Sequence, residues 1–452
     1  MQTPWGDTEA LRADRLGPGP RPDGRQASER HQRRRIFAAL VAAVASEGYN
    51  STTERQLARE SGVARSGLHK VFPGGIEQSF LAAVDILYKD ALTKMWAGYH
   101  SESDPERALH AALSTAAQAA LSQPHASTMA LVHIYEAGPA GIQRAQRAAG
   151  ELGQLIADSL SRSPQRAQGS AELPAAIAGA IQMLFHDRLR RGLQDQLPQL
   201  ADQLADWTLS YESPPAPLAR SRAQVRPIHR DPDPDPGIRL LHATARLCAQ
   251  NGYRNVSVSA LAREAKTSLR TLYERYGGKQ ECFLAAFEMT RARTHAAAQA
   301  AFMPLIDDWP RAFHAAIRAI LRFFATEPQL TWLVAVEVLA AGPDAWQARD
   351  QAIRTFTFLL DPGYKDAPHA PQIAREAIPF GVYFMIHHHL TCGRPAATLP
   401  QLAPLATFLA LCPAIGAQRA AQIAAEKPTL PAAAPPPPVR FDLRAGAHSR
   451  SR

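Results

Sequence analysis

Cysteine is scarce in this sequence, and export signals are lacking. The chain contains four cysteines, Cys248, Cys282, Cys392 and Cys412, and no two of them form a CxxC pair. This spacing argues against a zinc site and against a framework of disulfides. The N-terminal stretch MQTPWGDTEALRADRL has no apolar segment of the kind that signal peptides contain. We therefore expect a soluble, cytoplasmic protein.

Long apolar runs are lacking as well. The stretch AAIAGAIQMLF, residues 175–185, is shorter than the ~20 residues that a membrane helix needs. We expect the other apolar runs to be too short in the same way, and we expect no membrane partner.

Patterns typical of catalysis or metal binding do not occur. The sequence has no phosphate-cradling glycine loop, no Ser/His/Asp grouping and no metal-ligand spacing. His387, His388 and His389 are consecutive, and consecutive side chains on a helix point about 100° apart, so they cannot converge on one ion. We expect no enzyme activity, no cofactor and no metal.

What the sequence does contain is length and positive charge. It has 452 residues and a net charge of +9, and a domain usually takes about 100–200 residues. A positive balance favours polyanions such as nucleic acid, although charge alone is a weak signal. The position of the basic residues therefore matters more than their number.

One pattern occurs twice. LARESGVARSGLHKVF, residues 57–72, corresponds to LAREAKTSLRTLYERY, residues 261–276. Shorter pairs recur in the same order, and they are GY at Gly48 and Gly252, FLAA at Phe80 and Phe283, AGP at Ala137 and Ala341, and LPQL at Leu197 and Leu399. Their nearly constant offset of about 200 residues predicts two homologous halves.

Apolar residues recur with the helical period almost throughout the chain. Ile36, Leu40 and Val44 fall on one helix face, and Gly48 and Gly252 are placed to stop the first helix of each half. Strand signals are nearly absent. We predict an all-α protein.

The repeated stretch predicts a helix-turn-helix. Thr53 to Gln56 forms a capping box, a short helix follows to about Glu60, and Gly62 makes the turn. A second short helix then runs from about Arg65 to Val71. The residues expected to face inward are Leu57, Val63, Leu68 and Phe72 in the first copy and Leu261, Ala262, Leu272 and Tyr276 in the second. The second helix of such a motif can enter the DNA major groove.

This arrangement resembles the DNA-binding domain of TetR-family (tetracycline-repressor-type) transcriptional regulators. The second copy carries the resemblance through Tyr273, Tyr276, Gly278 and Lys279, and the first through Gly48, Leu57, Ala58, Gly62, Val63, Leu68 and Phe72. The resemblance implies three N-terminal helices followed by a larger helical domain that binds a small effector and dimerises. It also implies that the effector changes the spacing of the two DNA-binding helix-turn-helix domains and so releases DNA. These domains, residues 31–83 and 236–287, are called the first and second heads below, and the second helix of each helix-turn-helix is called its reading helix.

The residues expected to contact DNA lie on and around the second helix of each hairpin, where side chains reach base edges and phosphates. They are Thr53, Arg65, Ser66, Gly67, His69 and Lys70 in the first copy, and Ser257, Ser268, Leu269, Arg270, Thr271, Tyr273 and Lys279 in the second. Thr53 and Ser257 cap the preceding helix, Tyr273 lies on the phosphate side, and the resemblance places Lys279 on a phosphate.

The two copies differ in ways that predict unequal heads. The first has His69 where the family usually has Tyr, and Glu54 where the second copy has Val258. The second has Lys266 where the first has Gly62, which predicts a strained or shifted turn. We expect the two heads to prefer different DNA sequences.

The predicted organisation has seven segments. They are a disordered basic arm at 1–30, a helix-turn-helix domain at 31–83, a helical effector and dimerisation domain at 84–212, a Pro-rich linker at 213–235, a second helix-turn-helix domain at 236–287, a second helical domain at 288–418 and a disordered tail at 419–452. The basic arm, whose arginines cluster within 21–35, is expected to be mobile and to follow the minor groove or the phosphates.

The main hypothesis is a ligand-responsive repressor that binds double-stranded DNA through two unlike heads in one chain, as an intramolecular pseudo-dimer or a homodimer. Its effector is a small molecule whose identity the sequence does not indicate. One alternative is that a single head binds DNA and the other half is a dimerisation partner. A second alternative is a small-molecule-binding or scaffold protein that has lost DNA binding. The aromatic and sulfur-containing residues considered for an effector pocket, each more readily explained as core, are Trp96, Met129, His133, Tyr135, Met183, Phe185, Phe302, Trp332, Phe356, Tyr383 and Phe384.

Overall fold

The structure, a computed structural model, describes residues 1–14, 24–162, 172–218, 221–228 and 232–427. Helices form nearly all of the regular structure in these residues, and the two strands there pair in one antiparallel hairpin. The predicted all-α class is confirmed. The chain divides into two compact units: unit 1 comprises Met1–Ser213 and Ala370–Phe384, and unit 2 comprises Pro214–His369 and Met385–Arg452.

The first half of the chain begins with a hairpin and continues with helices. The strands are β1 (Gln2–Thr3) and β2 (Gly6–Asp7), and the α-helices are α1 (Thr8–Ala13), α2 (Gly24–Glu47), α3 (Glu54–Ser61), α4 (Arg65–Val71), α5 (Gly75–His100), α6 (Pro105–Ser122), α7 (Pro124–Leu131), α8 (Pro139–Ser161), α9 (Glu172–Arg190) and α10 (Leu197–Leu209). Short 3-10 turns lie at Tyr49–Ser51, His133–Ala137 and Gln194–Gln196.

The second half of the chain follows a similar order. Its α-helices are α11 (Pro236–Asn251), α12 (Val258–Glu264), α13 (Leu269–Arg275), α14 (Lys279–Phe302), α15 (Trp309–Thr326), α16 (Pro328–Ala335), α17 (Pro343–Thr355), α18 (Asp361–Lys365), α19 (Ala374–Thr391), α20 (Ala403–Ile415) and α21 (Ala417–Ala425). The 3-10 turns are Tyr253–Asn255, Met303–Leu305, Glu337–Leu339, Phe356–Leu359 and Ala396–Leu402.

The predicted apolar face of the first helix is confirmed. Ile36, Leu40 and Val44 on α2 are all buried, because their spacing puts them on one side of the helix. Gly48 follows α2 with φ of 79°, and Gly252 follows α11 with φ of 75°. Glycine adopts this left-handed backbone without a steric cost, which is why each helix stops there.

The N-terminal segment differs from the predicted disordered arm. β1, β2 and α1 are ordered, and α2 already begins at Gly24. The hairpin is attached to α2, because Arg34 Nη2 donates to the carbonyl of Trp5 at 2.9 Å and the Trp5 and Phe37 rings are 5.0 Å apart. The prediction of a mobile basic arm is therefore wrong for these residues, since good helix formers in 24–35 extend the helix. Residues 15–23 lie outside the described residues.

The described residues of the predicted linker, up to the start of α11, form no helix or strand, and unit 2 holds them at two positions. The backbone N–H of Val225 donates to the carbonyl of Ala397 at 3.0 Å, and that of Ile228 to the carbonyl of Thr326 at 2.9 Å. The linker is therefore anchored at these two positions, rather than solvated along its whole length as expected.

The start of the predicted disordered tail is helical. α21 covers part of it, and both carboxylate oxygens of Glu426 accept hydrogen bonds from Arg311 at 2.8 and 2.9 Å. The prediction was wrong here because Ala420, Ile423 and the neighbouring alanines pack into the interior of unit 2. Residues 428–452 lie outside the described residues.

Unit 1 includes a segment that is distant in sequence. Arg188 on α9 donates two hydrogen bonds to Glu376 on α19, at 2.8 and 2.7 Å, a bidentate geometry that is among the stronger side-chain pairs. Nearby, the Phe384 ring lies against Gly179, where an added Cβ would overlap with the ring carbons of Phe384. Gly179 is thus required for this close approach.

One described stretch is longer and more apolar than we expected. Ala396–Ile415 has 20 residues and a mean hydropathy of 1.5, but 72% of it is buried within the protein. Its length and composition are those of a possible membrane span, and burial of this kind is typical of a core helix in a folded domain.

Candidate nucleic-acid interface

The first head forms the predicted helix-turn-helix. The hydroxyl of Thr53 accepts a hydrogen bond from the N–H of Gln56 at 3.2 Å, which starts α3, and Gly62 ends it with φ of 61°. Its second helix, α4, spans Arg65–Val71 as predicted. The four residues expected to face inward are all buried, and they are Leu57, Val63, Leu68 and Phe72.

The second head has the same construction with a different turn. Ser257 caps α12 by accepting from Ala260 N at 3.2 Å. The turn is made by Lys266, the non-glycine residue with positive φ, 49°, in the described chain. Lys266 occupies the repeat position of Gly62, so the predicted strain in this turn is confirmed, because a Cβ disfavours the left-handed region. The four predicted inward residues are buried here too, and they are Leu261, Ala262, Leu272 and Tyr276.

The reading helix of the second head, α13, presents mixed chemistry to the outside. Ser268 caps it, with Oγ accepting from Thr271 N at 3.0 Å and lying 2.9 Å from Thr271 Oγ1. Leu269 is 44% and Tyr273 is 55% exposed, so the outer face of α13 carries apolar as well as polar surface. Arg270 is also exposed, and its Nε lies 2.7 Å from Glu274.

Lys279 is the predicted phosphate contact, and the structure places it at the start of α14. Its Nζ donates to the carbonyl of Tyr253 at 3.1 Å and lies 4.3 Å from the centre of the Tyr253 ring. Burial lowers the pKa of Lys279, because a charged amine is less stable away from water.

In the first head, a carboxylate holds two of the basic residues of α4. Arg65 Nη2 lies 2.9 Å and His69 Nε2 lies 3.2 Å from Glu54 Oε2. The hydrogen bonds from Arg65 and then His69 lower the pKa of Glu54, so its negative charge is retained. The sequence showed that Glu54 replaces Val258, but not that it would contact the reading helix. Ser66 and Lys70 are exposed and Gly67 is half-buried.

Each head is also connected to the larger helical part of its own unit by a glutamate that the sequence did not indicate. In unit 1, the N–H of Asn50 donates to Glu136 Oε2 at 3.1 Å. In unit 2, the N–H of Tyr253 donates to Glu337 Oε2 at 2.6 Å, and Trp332 Nε1 donates to Glu337 Oε1 at 3.0 Å. Both glutamates are buried, and burial raises the pKa of Glu337. The 3-10 turn after the first helix of each head is thereby attached to the domain behind it.

Unit 1 contains a cavity of about 490 Å³ behind its head. It is lined mainly by aliphatic side chains of α5 to α9, with Trp5 from the N-terminal hairpin. Its size is within the ~300–1,000 Å³ usual for small-molecule sites. Of the residues considered for a pocket from the sequence, Phe185 lines this cavity. Trp96 lines a second, neighbouring cavity of about 530 Å³.

Most of the other candidates for a pocket are core residues. The five that are buried are Met129, Tyr135, Met183, Phe302 and Phe384. His133 lies 2.6 Å from Glu136, and Trp332 from the same list donates to Glu337. The sequence identified apolar residues, but it did not indicate which of them line a cavity and which pack in the core.

The three consecutive histidines have separate surroundings. His387 Nδ1 lies 2.9 Å from the carbonyl oxygen of Ala335, and His389 Nε2 lies 2.9 Å from Thr398 Oγ1. Within the described ranges, no group of three or more His, Cys, Asp or Glu side chains is arranged to hold a metal ion.

The fold is all-α, and each half of the chain contains a helix-turn-helix. Residues 240–286 match the family described as bacterial regulatory proteins, tetR family. The matched segment runs from α11 into α14 and contains the whole second helix-turn-helix.

Several solved structures of regulators are similar to parts of this chain. The fatty acid degradation regulator FadR from Bacillus halodurans is 15% identical with a TM-score of 0.34, and the similarity covers 40% of this chain and 97% of that one. A TetR family regulator from Marinobacter aquaeolei VT8 is 20% identical with a TM-score of 0.30, over 37% of this chain and 94% of that one. The regulator PfmR from Thermus thermophilus is 17% identical with a TM-score of 0.31, over 41% and 97%. No curated protein matches the chain.

Proposed function

We propose that this chain is a cytoplasmic, TetR-type transcriptional regulator that reads double-stranded DNA with two unlike heads. The observation that carries the proposal is the second head, where the family match coincides with a capped reading helix. Its exposed Leu269, Arg270 and Tyr273 provide a charged fork and apolar surface where such helices meet base edges.

The proposal of two heads is supported by the order of elements in the first half. A first helix, a 3-10 turn, two short helices and a long helix follow one another as α2 to α5, just as they do in α11 to α14. The left-handed turn residues Gly62 and Lys266 occupy the same repeat position. This supports two TetR-like units fused in tandem.

The proposal includes control by a small molecule. Unit 1 has a cavity of suitable size, and Glu136 in the larger helical part contacts the backbone of the head at Asn50. A ligand that binds one arrangement of this contact better than another shifts the population and with it the DNA affinity. We propose that the ligand releases DNA, so that the protein acts as a repressor.

A mobility-shift assay with DNA from the gene's own upstream region tests DNA binding. We expect a shifted complex that competitor DNA of unrelated sequence does not remove. Equal binding to all DNA sequences, or no DNA binding, would contradict the proposed regulator and favour a scaffold or small-molecule-binding protein.

A thermal-shift screen tests control by a ligand. Any ligand that stabilises the chain in this screen should change the affinity for operator DNA, and operator DNA should change the affinity for the ligand by the same factor.

A second candidate is that only the second head reads DNA. The observation that favours it is Glu54, whose carboxylate holds Arg65 and His69 and places negative charge where phosphates would approach. In this version the first half contributes the cavity and a dimerisation surface. Selection of binding sites from random DNA separates the two versions, because the second head alone selects one half-site or two identical copies of it, whereas two unlike heads select two different half-sites.

A further inference from the structure

Gln182, a residue that lines the cavity of unit 1, has a buried polar atom with no hydrogen-bond partner among the described residues. Gln182 on α9 lines the cavity and is 7% exposed. Its Nε2 donates a hydrogen bond to the carbonyl of Ala145 at 3.2 Å. Its Oε1 is buried and forms no hydrogen bond within the part of the chain that the structure describes. Native proteins leave few buried acceptors in this condition, because such an acceptor loses its water without compensation.

The hydrogen bond to Ala145 determines the orientation of the Gln182 side-chain amide. If the amide were turned over, its oxygen would face the carbonyl oxygen of Ala145, and two acceptors would meet. The nitrogen therefore points at Ala145. The end of the amide that remains for a molecule in the cavity is the acceptor.

Other groups around the cavity have the same character. Tyr88 Oη donates its hydrogen to the carbonyl of Ala130 at 2.7 Å, so it offers an acceptor lone pair and no further donor. The charged residues in the lining are Asp90 and Lys94. They are mostly exposed and pair with each other at 2.7 Å. The cavity thus offers aliphatic surface, the buried acceptor of Gln182 and the hydroxyl and amide groups of Ser122, Gln123 and Ser127, with no unpaired charge among its lining residues.

We propose that this cavity binds an uncharged, mainly apolar small molecule that donates one hydroxyl or amide hydrogen to Gln182 Oε1. The inference rests on the proposed function, in which this cavity is the effector site, and it specifies the class of effector as an apolar alcohol, phenol or amide. A site with a buried acceptor rejects an analogue that lacks the donor, because the acceptor then stays unpaired. An ionised ligand is disfavoured, because it would lose its hydration and find no opposite charge.

The test compares three probes of one chain length on the full-length protein by isothermal titration calorimetry. 1-Decanol has the donor, decyl methyl ether lacks it, and decanoate carries a charge. We expect decanol to bind about tenfold more tightly than the ether, the factor that one buried hydrogen bond provides, and decanoate to bind most weakly. In Gln182→Leu the preference for decanol over the ether should disappear.

A second variant verifies the location. Ala116 lines the same cavity, and Ala116→Phe should abolish binding of both uncharged probes by filling it. If Gln182→Leu does not fold, the comparison of probes on the wild-type chain decides alone.

The proposal is overturned by equal binding of decanol and ether, by tighter binding of the ether or decanoate, by binding that persists in Ala116→Phe, or by no binding of any probe. The mobility-shift assay is run on the same preparation. If the protein binds operator DNA but does not prefer decanol, the proposed function stands and this inference fails. If the protein does not bind operator DNA, the proposed function itself fails.

Discussion

One carboxylate pairs with basic side chains of each reading helix, α4 and α13, and the two carboxylates differ in the number of side chains that they hold. Glu274 is on α13 itself and pairs with Arg270 across one turn, where both side chains are largely exposed. Such a pair is weak and easily exchanged for DNA. Glu54 instead comes from α3 and holds both Arg65 and His69. The two heads therefore differ in how their exposed basic side chains are paired.

Replacing Glu54 with the residue of the other head should strengthen DNA binding. Glu54→Val removes a negative charge near the phosphates and frees Arg65 and His69, so we expect an affinity gain of about three- to tenfold at low salt and a steeper salt dependence. Fluorescence anisotropy over a series of salt concentrations measures both. The matched control is Val258→Glu, which should weaken binding. Unchanged affinity in Glu54→Val would show that the first head does not contact DNA.

Arg270 and Lys279 should have different effects on DNA binding. Arg270→Ala should cost about 1–3 kcal/mol at one base if the guanidinium reads that base with two hydrogen bonds. Lys279→Ala should weaken binding to all sequences and flatten the salt dependence, because a phosphate contact carries no sequence information. Anisotropy with a mapped operator and its single-base variants distinguishes the two. Wild-type binding by both variants would mean that the second head does not read DNA.

At the scale of elements, the turns of the two helix-turn-helix motifs have the same left-handed backbone conformation but different side chains. Both hairpins use a left-handed residue between their helices, with φ of 61° at Gly62 and 49° at Lys266. At Gly62 a Cβ would also clash with Arg35 Nη2. The second turn therefore carries backbone strain, whereas glycine at the first turn avoids both this strain and the contact with Arg35.

Relieving this strain should stabilise the second head. Lys266→Gly should raise the free energy of unfolding by about 0.5–1 kcal/mol, the cost of a left-handed Cβ less the added flexibility of glycine in the unfolded chain. The matched control, Gly62→Ala, should destabilise the first head. Thermal unfolding measures both. A melting temperature below that of the wild type for Lys266→Gly would contradict the claim that Lys266 strains the backbone.

The packing of α19 against α16 should make unit 2 sensitive to acid. Burial lowers the pKa of His387 from 6.5 to about 4, with His388 and Arg349 adding to the shift and the Ala335 carbonyl opposing it. Below pH 6.5 the unfolded chain takes up this proton before the folded chain does. Stability from His387 is therefore complete above pH 6.5 and falls between pH 6.5 and about 4, by about 3 kcal/mol at ~1.4 kcal/mol per pKa unit.

His387→Asn tests the acid sensitivity, because its amide can still donate to Ala335. We expect urea unfolding between pH 7 and 4 to show a shallower loss of stability than in the wild type, whatever the absolute stability of the variant. His388→Asn, on an exposed neighbour, is the control and should change the slope less. An identical slope in His387→Asn and wild type would exclude His387 as the cause.

At the scale of the molecule, the chain carries the elements of two heads. Paired helix-turn-helix readers place their recognition helices ~34–36 Å apart, one turn of DNA. Usually two identical subunits supply them. The linker has about 23 residues, and unit 2 holds it at Val225 and Ile228, so its reach is shorter than the roughly 70 Å of a fully extended segment at ~3.1 Å per residue.

We predict that a single chain occupies one operator and that this operator has two unlike half-sites, because the exposed residues of α4 and α13 differ. Light scattering of the protein–DNA complex gives the number of chains per duplex, and selection from random DNA gives the symmetry of the site. Two chains per duplex on a palindromic site would instead establish a homodimer with four heads.

The class of fold, the bounds of α4 and the buried faces of both helix-turn-helix motifs could be predicted from the amino-acid sequence. These features depend on neighbours within a few residues: apolar spacing buries Leu57 and Leu261, a hydroxyl caps α3 at Thr53, and glycine ends α2 at Gly48. The strained turn at Lys266 was also predictable, because the first copy shows which backbone its position requires.

How the candidate site is charged and which polar groups line the cavity depend on tertiary contacts. Glu54 meets Arg65 and His69 across a turn, Lys279 folds onto Tyr253, and Gln182 reaches Ala145 from another helix. The N-terminal hairpin was missed for the same reason, since Trp5 is ordered by its contacts with α2. Each of these contacts joins residues that are distant along the chain, and their geometry depends on how helices pack, which periodicity and capping do not specify.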